Sequence, residues 1–206
     1  MAQRKRVKRE AAVRAAHPRL GGLILAVSDE PQEIKNWDKG AEGERKLGAG
    51  LDGLAGAGVV TLHDRLRPGT RANIDHIAVG PSGVWVVDAK RYAGQVSQRD
   101  VGGWLSTDVR LFVGRRDRTK LVSALHMQVD AVRAALGGEW AGVQVRAMLC
   151  FVDADWKWFA KPFELDEVLV TWPRATCEIL VRPGPLDPAR VATVAATLDA
   201  RLRPAS

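Results

Sequence analysis

The 206-residue chain has only two cysteines, Cys150 and Cys177. Two thiols make neither a disulfide framework nor a metal-ligand cluster, and no Cys/His spacing suits zinc. A reducing cytoplasm is the expected setting. Long apolar runs are missing as well. The run Leu23 to Val27 is too short to span a bilayer and too short for a signal-peptide core, so a soluble, unsecreted protein without a membrane partner is expected. No internal repeat and no long low-complexity linker is present. Outside the first twenty residues, excess positive charge is also missing. Arg4, Lys5, Arg6, Lys8, Arg9, Arg14 and Arg19 stand there against the single acid Glu10, a net of +6 out of the chain's +7. The basic character belongs to a tail, which suits either a nucleic-acid-binding arm or a plain solvated one.

What is present is enough apolar residue, 46%, for one ordinary domain. The division expected is a basic, flexible tail over 1–32 and a domain over 33–206 that ends in a helix. Residues 37–55 read as a helix with Leu47, Leu51 and Leu54 on one side, closed by the glycines from Gly53 to Gly58. Strands are expected at 59–62, 73–79, 84–90, 94–97, 109–113, 143–152 and 167–171. A helix is expected over 121–136. Another opens at Asp187-Pro188, with aspartate as N-cap and proline at N1. The order implies an α/β fold, a mixed sheet flanked by helices.

The stretch NIDHIAVGPSGVWVVDAK, residues 73–90, is two apolar runs around a Pro81-Ser82-Gly83 turn. Alternation puts Asp75, Ile77 and Val79 on one face of the first run. It puts Val84, Val86, Asp88 and Lys90 on one face of the second. With a loop of residues 80–83, Val79 faces Val84, Ile77 faces Val86, and Asp75 faces Asp88. Facing carboxylates repel. Two resolutions are open: Lys90 neutralises a surface cluster, or a divalent cation sits between the acids. Both faces of the hairpin are apolar, so both are covered, and this favours the cation. Oxygen ligands of this kind suit Mg²⁺ or Mn²⁺.

A third acid falls into line. Helical steps put Glu44 on the stripe of Leu47, Leu51 and Leu54, facing the sheet, while Glu42 turns to solvent. Glu44 is equally a favourable charge in the first helical turns. Gly40 and Gly43 cost helix stability and leave room for a close approach. His76 points away from Asp75 and reads as structural. His63 and His126 have no evident partner. The tryptophans read as core or rim; Trp104, after Gly102-Gly103, reads as packing before substrate contact.

The set Gly40-Ala41-Glu42-Gly43-Glu44, Asn73-Ile74-Asp75-His76, and Gly83 through Asp88-Ala89-Lys90 to Gly94 resembles the nuclease-related domain, NERD. That family falls in the PD-(D/E)xK, restriction-endonuclease-like superfamily. The likeness spans about residues 36–130. The family more often has glutamate where Asp88 stands. The resemblance implies a metal-dependent nuclease acting on phosphodiesters, with DNA as partner and Mg²⁺ or Mn²⁺ as cofactor. It implies Asp75, Asp88 and Glu44 as metal ligands, Glu44 directly or through water, and Lys90 as catalytic lysine. It implies Gln128 as the glutamine of the following helix, and Asn73 as a support for the turn region or for Asp75. Arg45, Lys46, Arg65, Arg67, Arg71, Arg91 and the tail are the expected phosphate contacts. A non-catalytic nucleic-acid-binding or partner-recruiting module on the same fold is the alternative.

Overall fold

The alternation of apolar residues in the middle of the chain builds a six-stranded sheet with both faces covered. The structure, a computed structural model, describes residues 31–104 and 106–205, with side chains from Glu42 onward. The basic segment 1–20 lies outside the described residues, as does the side chain of position 40; the boundary expected between 32 and 33 falls within the helix Pro31–Asp52, which starts earlier than the expected residue 37. In chain order the elements are α1 (Pro31–Asp52), β1 (Val60–Leu66), β2 (Asn73–Gly80), β3 (Gly83–Arg91), β4 (Val96–Asp100), β5 (Val109–Val113), β6 (Arg116–Asp117) and α2 (Thr119–Leu136). Then follow β7 (Val145–Val152), β8 (Phe163–Leu165), β9 (Val168–Thr171), α3 (Pro173–Leu180) and α4 (Pro188–Arg201).

The main sheet runs β1-β2-β3-β7-β9-β8. The first three strands are antiparallel, β7 and β9 join in parallel, and β8 closes the edge antiparallel. This is the expected mixed α/β sheet flanked by helices, consistent with a restriction-endonuclease-like architecture. Strands β4, β5 and β6 form a separate small sheet.

Period-two alternation splits the core into two layers. Ile77, Val79, Val84, Val86 and Leu149 pack with Leu125, Val129 and Val132 of α2 and with Val194 and Leu198 of α4. Trp85, Val87, Met148 and Cys150, one residue out of phase, pack with Leu47 and Leu51 of α1 and Ile179 and Leu180 of α3. Each buried aliphatic of this kind contributes about 1.5–3 kcal/mol. That burial offsets the helix cost of the glycines in α1.

Several boundaries differ from expectation. Strand β1 continues to Leu66 because Arg65 and Leu66 still pair with Ile74 and Asn73. Helix α1 stops at Asp52, so Leu54 precedes a short 3₁₀ turn instead of lying on the helix. The strand expected at 94–97 is β4, at Val96–Asp100. Helix α4 begins as read, with the Asp187 side chain accepting from the Arg190 backbone N–H at 2.8 Å. Elements β6, β8 and α3 were not foreseen.

Candidate active site

The hairpin has the register deduced from alternation. Val79 faces Val84, Ile77 faces Val86 and His76 faces Val87. Gly80 pairs with Gly83, so the loop is two residues, Pro81-Ser82, and not four. Beyond His76 and Val87 the regular rungs stop. There the Asp75 side chain takes the place of a rung, its Oδ2 accepting from the Ala89 backbone N–H at 3.3 Å. Asp75 therefore sits in the fork where the two strands part.

Asp88, only 6% exposed, projects on the same face. Lys90 follows it one step on and donates from Nζ to both Asp88 oxygens, at 2.8 Å to Oδ1 and 2.7 Å to Oδ2. Burial, then the Asp88 charge, pushes the Asp75 carboxyl up to about 8. Burial pulls the Lys90 ammonium down, but Asp88 and Asp75 outweigh it, and its pKa rises above the ordinary lysine value. Lys90 thus relieves Asp88 and leaves Asp75 under strain.

Glu44 is half-buried on α1, the helix of the opposite layer. Its pKa is raised, first by burial and next by Asp64, with Asp88 adding and Lys90 opposing. Its charge in turn raises Asp75. The fork is where charge from the two layers meets. Gly43 explains how α1 comes so close: a Cβ there would lie 3.0 Å from the Cβ of Arg91 on β3. The neighbour admitted is thus another segment of the chain. Among the described residues, no three His, Cys, Asp or Glu side chains converge as a ready metal cluster.

Gln128 lies on α2, in the layer that covers the Asp88 face. Its Oε1 is buried and without a hydrogen-bond partner, which a solvated surface glutamine would not be. Asn73 does not support Asp75; its Nδ2 donates to Asp64 Oδ1 on β1. His76 is buried and structural, as expected. Its partner was missed: His63 Nδ1 lies 2.8 Å from His76 Nδ1, and His63 Nε2 lies 2.8 Å from Asp52 Oδ1. His126 meets the Asp166 carbonyl at 2.8 Å. Burial, then His63, pulls His76 down to about 4.

The basic residues divide in a way the sequence did not show. Arg91 is held by Glu42 and Asp153, so Glu42 is an ion-pair partner and not simply solvated. Arg65 is spent on Asp199 at 2.6 Å and on the Leu202 carbonyl. Lys46 bridges Glu42 and Asp153. Arg45, Arg67 and Arg71 make no ion pair among the described residues. Trp104 does not pack: it is fully exposed, as is Trp158.

A mixed sheet whose central hairpin carries aspartate, then aspartate and lysine at its open end, defines a nuclease-like α/β protein. The family model for the nuclease-related domain matches residues 39–152. That is more than half of the chain, and the chain belongs to the NERD family, part of the PD-(D/E)xK-like superfamily. The match runs past the likeness seen in the sequence, to the end of β7. No curated protein and no solved structure matches the chain. Among the described residues no helix is long and apolar enough to cross a membrane.

Proposed function

We propose that the protein is a metal-dependent nuclease that hydrolyses phosphodiester bonds in DNA. The observation that carries this reading is the fork itself. Two carboxylates share it, a half-buried lysine is bonded to one of them, and the other is left to hold a proton. A divalent cation fits this donor set. All the donors are oxygens, and Mg²⁺ is commonly bound by one or two carboxylates plus substrate phosphate and waters, without an all-protein cage. Asp75 and Asp88 would hold it, with Glu44 contributing through water. Bound there, Mg²⁺ or Mn²⁺ supplies Lewis-acid polarisation of the phosphoryl group and a water of lowered pKa.

The chain's own groups do the rest. Asp88 fixes the Lys90 ammonium through two short hydrogen bonds and keeps it charged. Lys90 then offers a fixed positive charge to the oxygen that becomes negative as water attacks phosphorus in line. The Ala89 N–H orients Asp75. Gln128, whose buried oxygen has no hydrogen-bond partner, would hold a water or a substrate N–H.

The absence of a three-ligand cluster among the described residues favours one second reading, a nucleic-acid-binding module without turnover. One experiment separates the two. Plasmid, linear duplex and single-stranded DNA are incubated with the protein in Mg²⁺, Mn²⁺ or EDTA. Cleavage in metal but not in EDTA, lost in Asp88→Asn and Lys90→Ala, supports the nuclease. Binding without cleavage in any metal overturns it.

A further inference from the structure

Arg65 and Arg91 are paired to acids; three arginines beyond the end of β3 are not. Arg115, in the β5–β6 turn, Arg116, at the start of β6, and Arg118, just before α2, make no ion pair among the described residues. With Tyr92, Ala93 and Gly114 they line a cavity of about 330 Å³. Arg118 lies over the Tyr92 ring, 4.5 Å from its centroid, which fixes the guanidinium in place. Its Nε is buried without a hydrogen-bond partner. Arg115 and Arg116 are exposed. No acid lines this cavity.

Its position is set by β3. Tyr92 follows Lys90 by two residues, a step of about 6.6 Å along an extended strand and on the same side. Tyr92 is close enough to raise the Lys90 pKa, and its ring packs 6.2 Å from Phe151, the residue paired with Lys90. The turn with the arginines is drawn in by Gly94, whose φ is 115° and whose Cβ, were there one, would meet Gly114 N at 3.3 Å. The Gly114 N–H also donates to the Gln95 carbonyl at 2.9 Å. A side chain at position 94 would push the turn off the strand end.

We infer that this cavity is a phosphate subsite of the nuclease, holding a backbone phosphate of the strand next to the one presented to Lys90. The inference rests on the proposed nucleic-acid function and specifies where the polymer is gripped. The chemistry asks for an anion with several oxygens: guanidinium groups bind phosphate through paired N–H donors, and none of these three has an internal carboxylate to pair with. The small β4–β6 sheet is then an arm that carries the strand past the fork.

The test is equilibrium binding of a labelled DNA duplex of about 20 bp to the full chain in the Asp88→Asn background, where the probe is not consumed, over a range of salt. Adding Arg115→Ala and Arg116→Ala should weaken binding at least tenfold. It should also make the slope of log K against log salt shallower by about 1, because the subsite holds one phosphate and each lost phosphate contact removes about 0.9. Arg190→Ala, on the exposed start of α4, removes the same kind of charge far along the chain and should leave the slope unchanged. Equal slopes in the double variant and the parent overturn the subsite, even if cleavage by the wild-type protein is intact. Loss of slope in a protein that never cleaves keeps the subsite and overturns the nuclease reading.

Discussion

The two ends of the β2–β3 hairpin are made of the same two strands and do opposite work. At the turn end, Val79 faces Val84 and Gly80 faces Gly83 in an unbroken ladder. Trp85 is buried there, its Nε1 donating to Ser82 Oγ at 3.0 Å and its ring covered by Arg146. At the fork end the ladder gives way to Asp75, and Asp75, Asp88 and Lys90 share that face. The first end stores stability. The second holds groups whose charges conflict, a conflict that persists because the first end and the two core layers over-determine the backbone. Substitutions at the turn end should therefore be read in stability, and those at the fork in activity, metal response and pH.

The largest stability effect is expected at the turn end. Trp85→Ala removes a buried indole that touches α1's leucines and its own turn. It should cost about 3–5 kcal/mol in urea unfolding. A loss below 1 kcal/mol would mean that the closed end does not anchor the hairpin.

Next come the two partners at the fork, which should part company. Lys90→Ala leaves Asp88 buried without its counter-charge and should destabilise the metal-free protein by about 1–3 kcal/mol. Asp88→Asn removes the second cause of the raised Asp75 pKa, so Asp75, still held up by burial, ionises at a lower pH and can then partner Lys90. That variant should match or exceed wild type in EDTA. Mg²⁺ should raise the melting temperature of wild type and of Lys90→Ala, but not of Asp88→Asn. If Asp88→Asn melts well below wild type in EDTA and Mg²⁺ shifts both alike, Asp88 is only Lys90's structural partner.

A smaller effect is the pH profile. The Asp75 carboxyl titrates near 4 unfolded and near 8 folded, so the folded state binds the extra proton in between. Stability contributed by that proton is lost as pH rises from about 4 to 8, by at most about 1.4 kcal/mol per pH unit. The raised Glu44 acts in the same direction from its ordinary value upward. His76 acts against them: held down to about 4, it resists protonation, and its contribution grows as pH rises from about 4 to 6.5. The opposing slopes overlap below 6.5. Between 6.5 and 8 the carboxyl slope stands alone, and metal-free wild type should lose stability there more steeply than Asp88→Asn, in which burial still raises Asp75 but the Asp88 charge no longer does. Parallel profiles in that window would show that Asp75 does not carry the strain.

The hairpin was legible because alternation with both faces apolar allows few registers, and a one-residue slip would have buried the wrong side chains. Asp75, Asp88 and Lys90 could be placed from that alone. The His63–His76 contact could not, since it depends on β1 running on to Leu66, past residues too polar to read as strand. The short elements β6 and β8 carry too few residues for a period, and α3 was hidden although Pro173 marks its first turn. The paired state of Arg65 and Arg91 was invisible for another reason: Asp199 and Asp153 lie far away in sequence and arrive only by folding.

The smallest expected effect asks whether the fork extends to the opposite layer. Glu44 comes from the α1 side, while Asp75 and Asp88 face α2, and the sheet separates the layers everywhere but at the fork. If Glu44 reaches the metal through water, Glu44→Gln should raise the Mg²⁺ needed for half-maximal cleavage several-fold and lower the Asp75 pKa slightly, since one repelling charge is gone. Stability should move by a few tenths of a kcal/mol in either direction. If Glu44 is only a half-buried charge on the face of α1, well past the helix start at Pro31, the same change should leave the Mg²⁺ titration superimposed on wild type. Activity titrated against Mg²⁺ at pH 7 and again above pH 8 separates the cases. At the higher pH Asp75 is ionised in both proteins, so an effect that works only through its proton disappears, while a water-mediated contact to the metal persists.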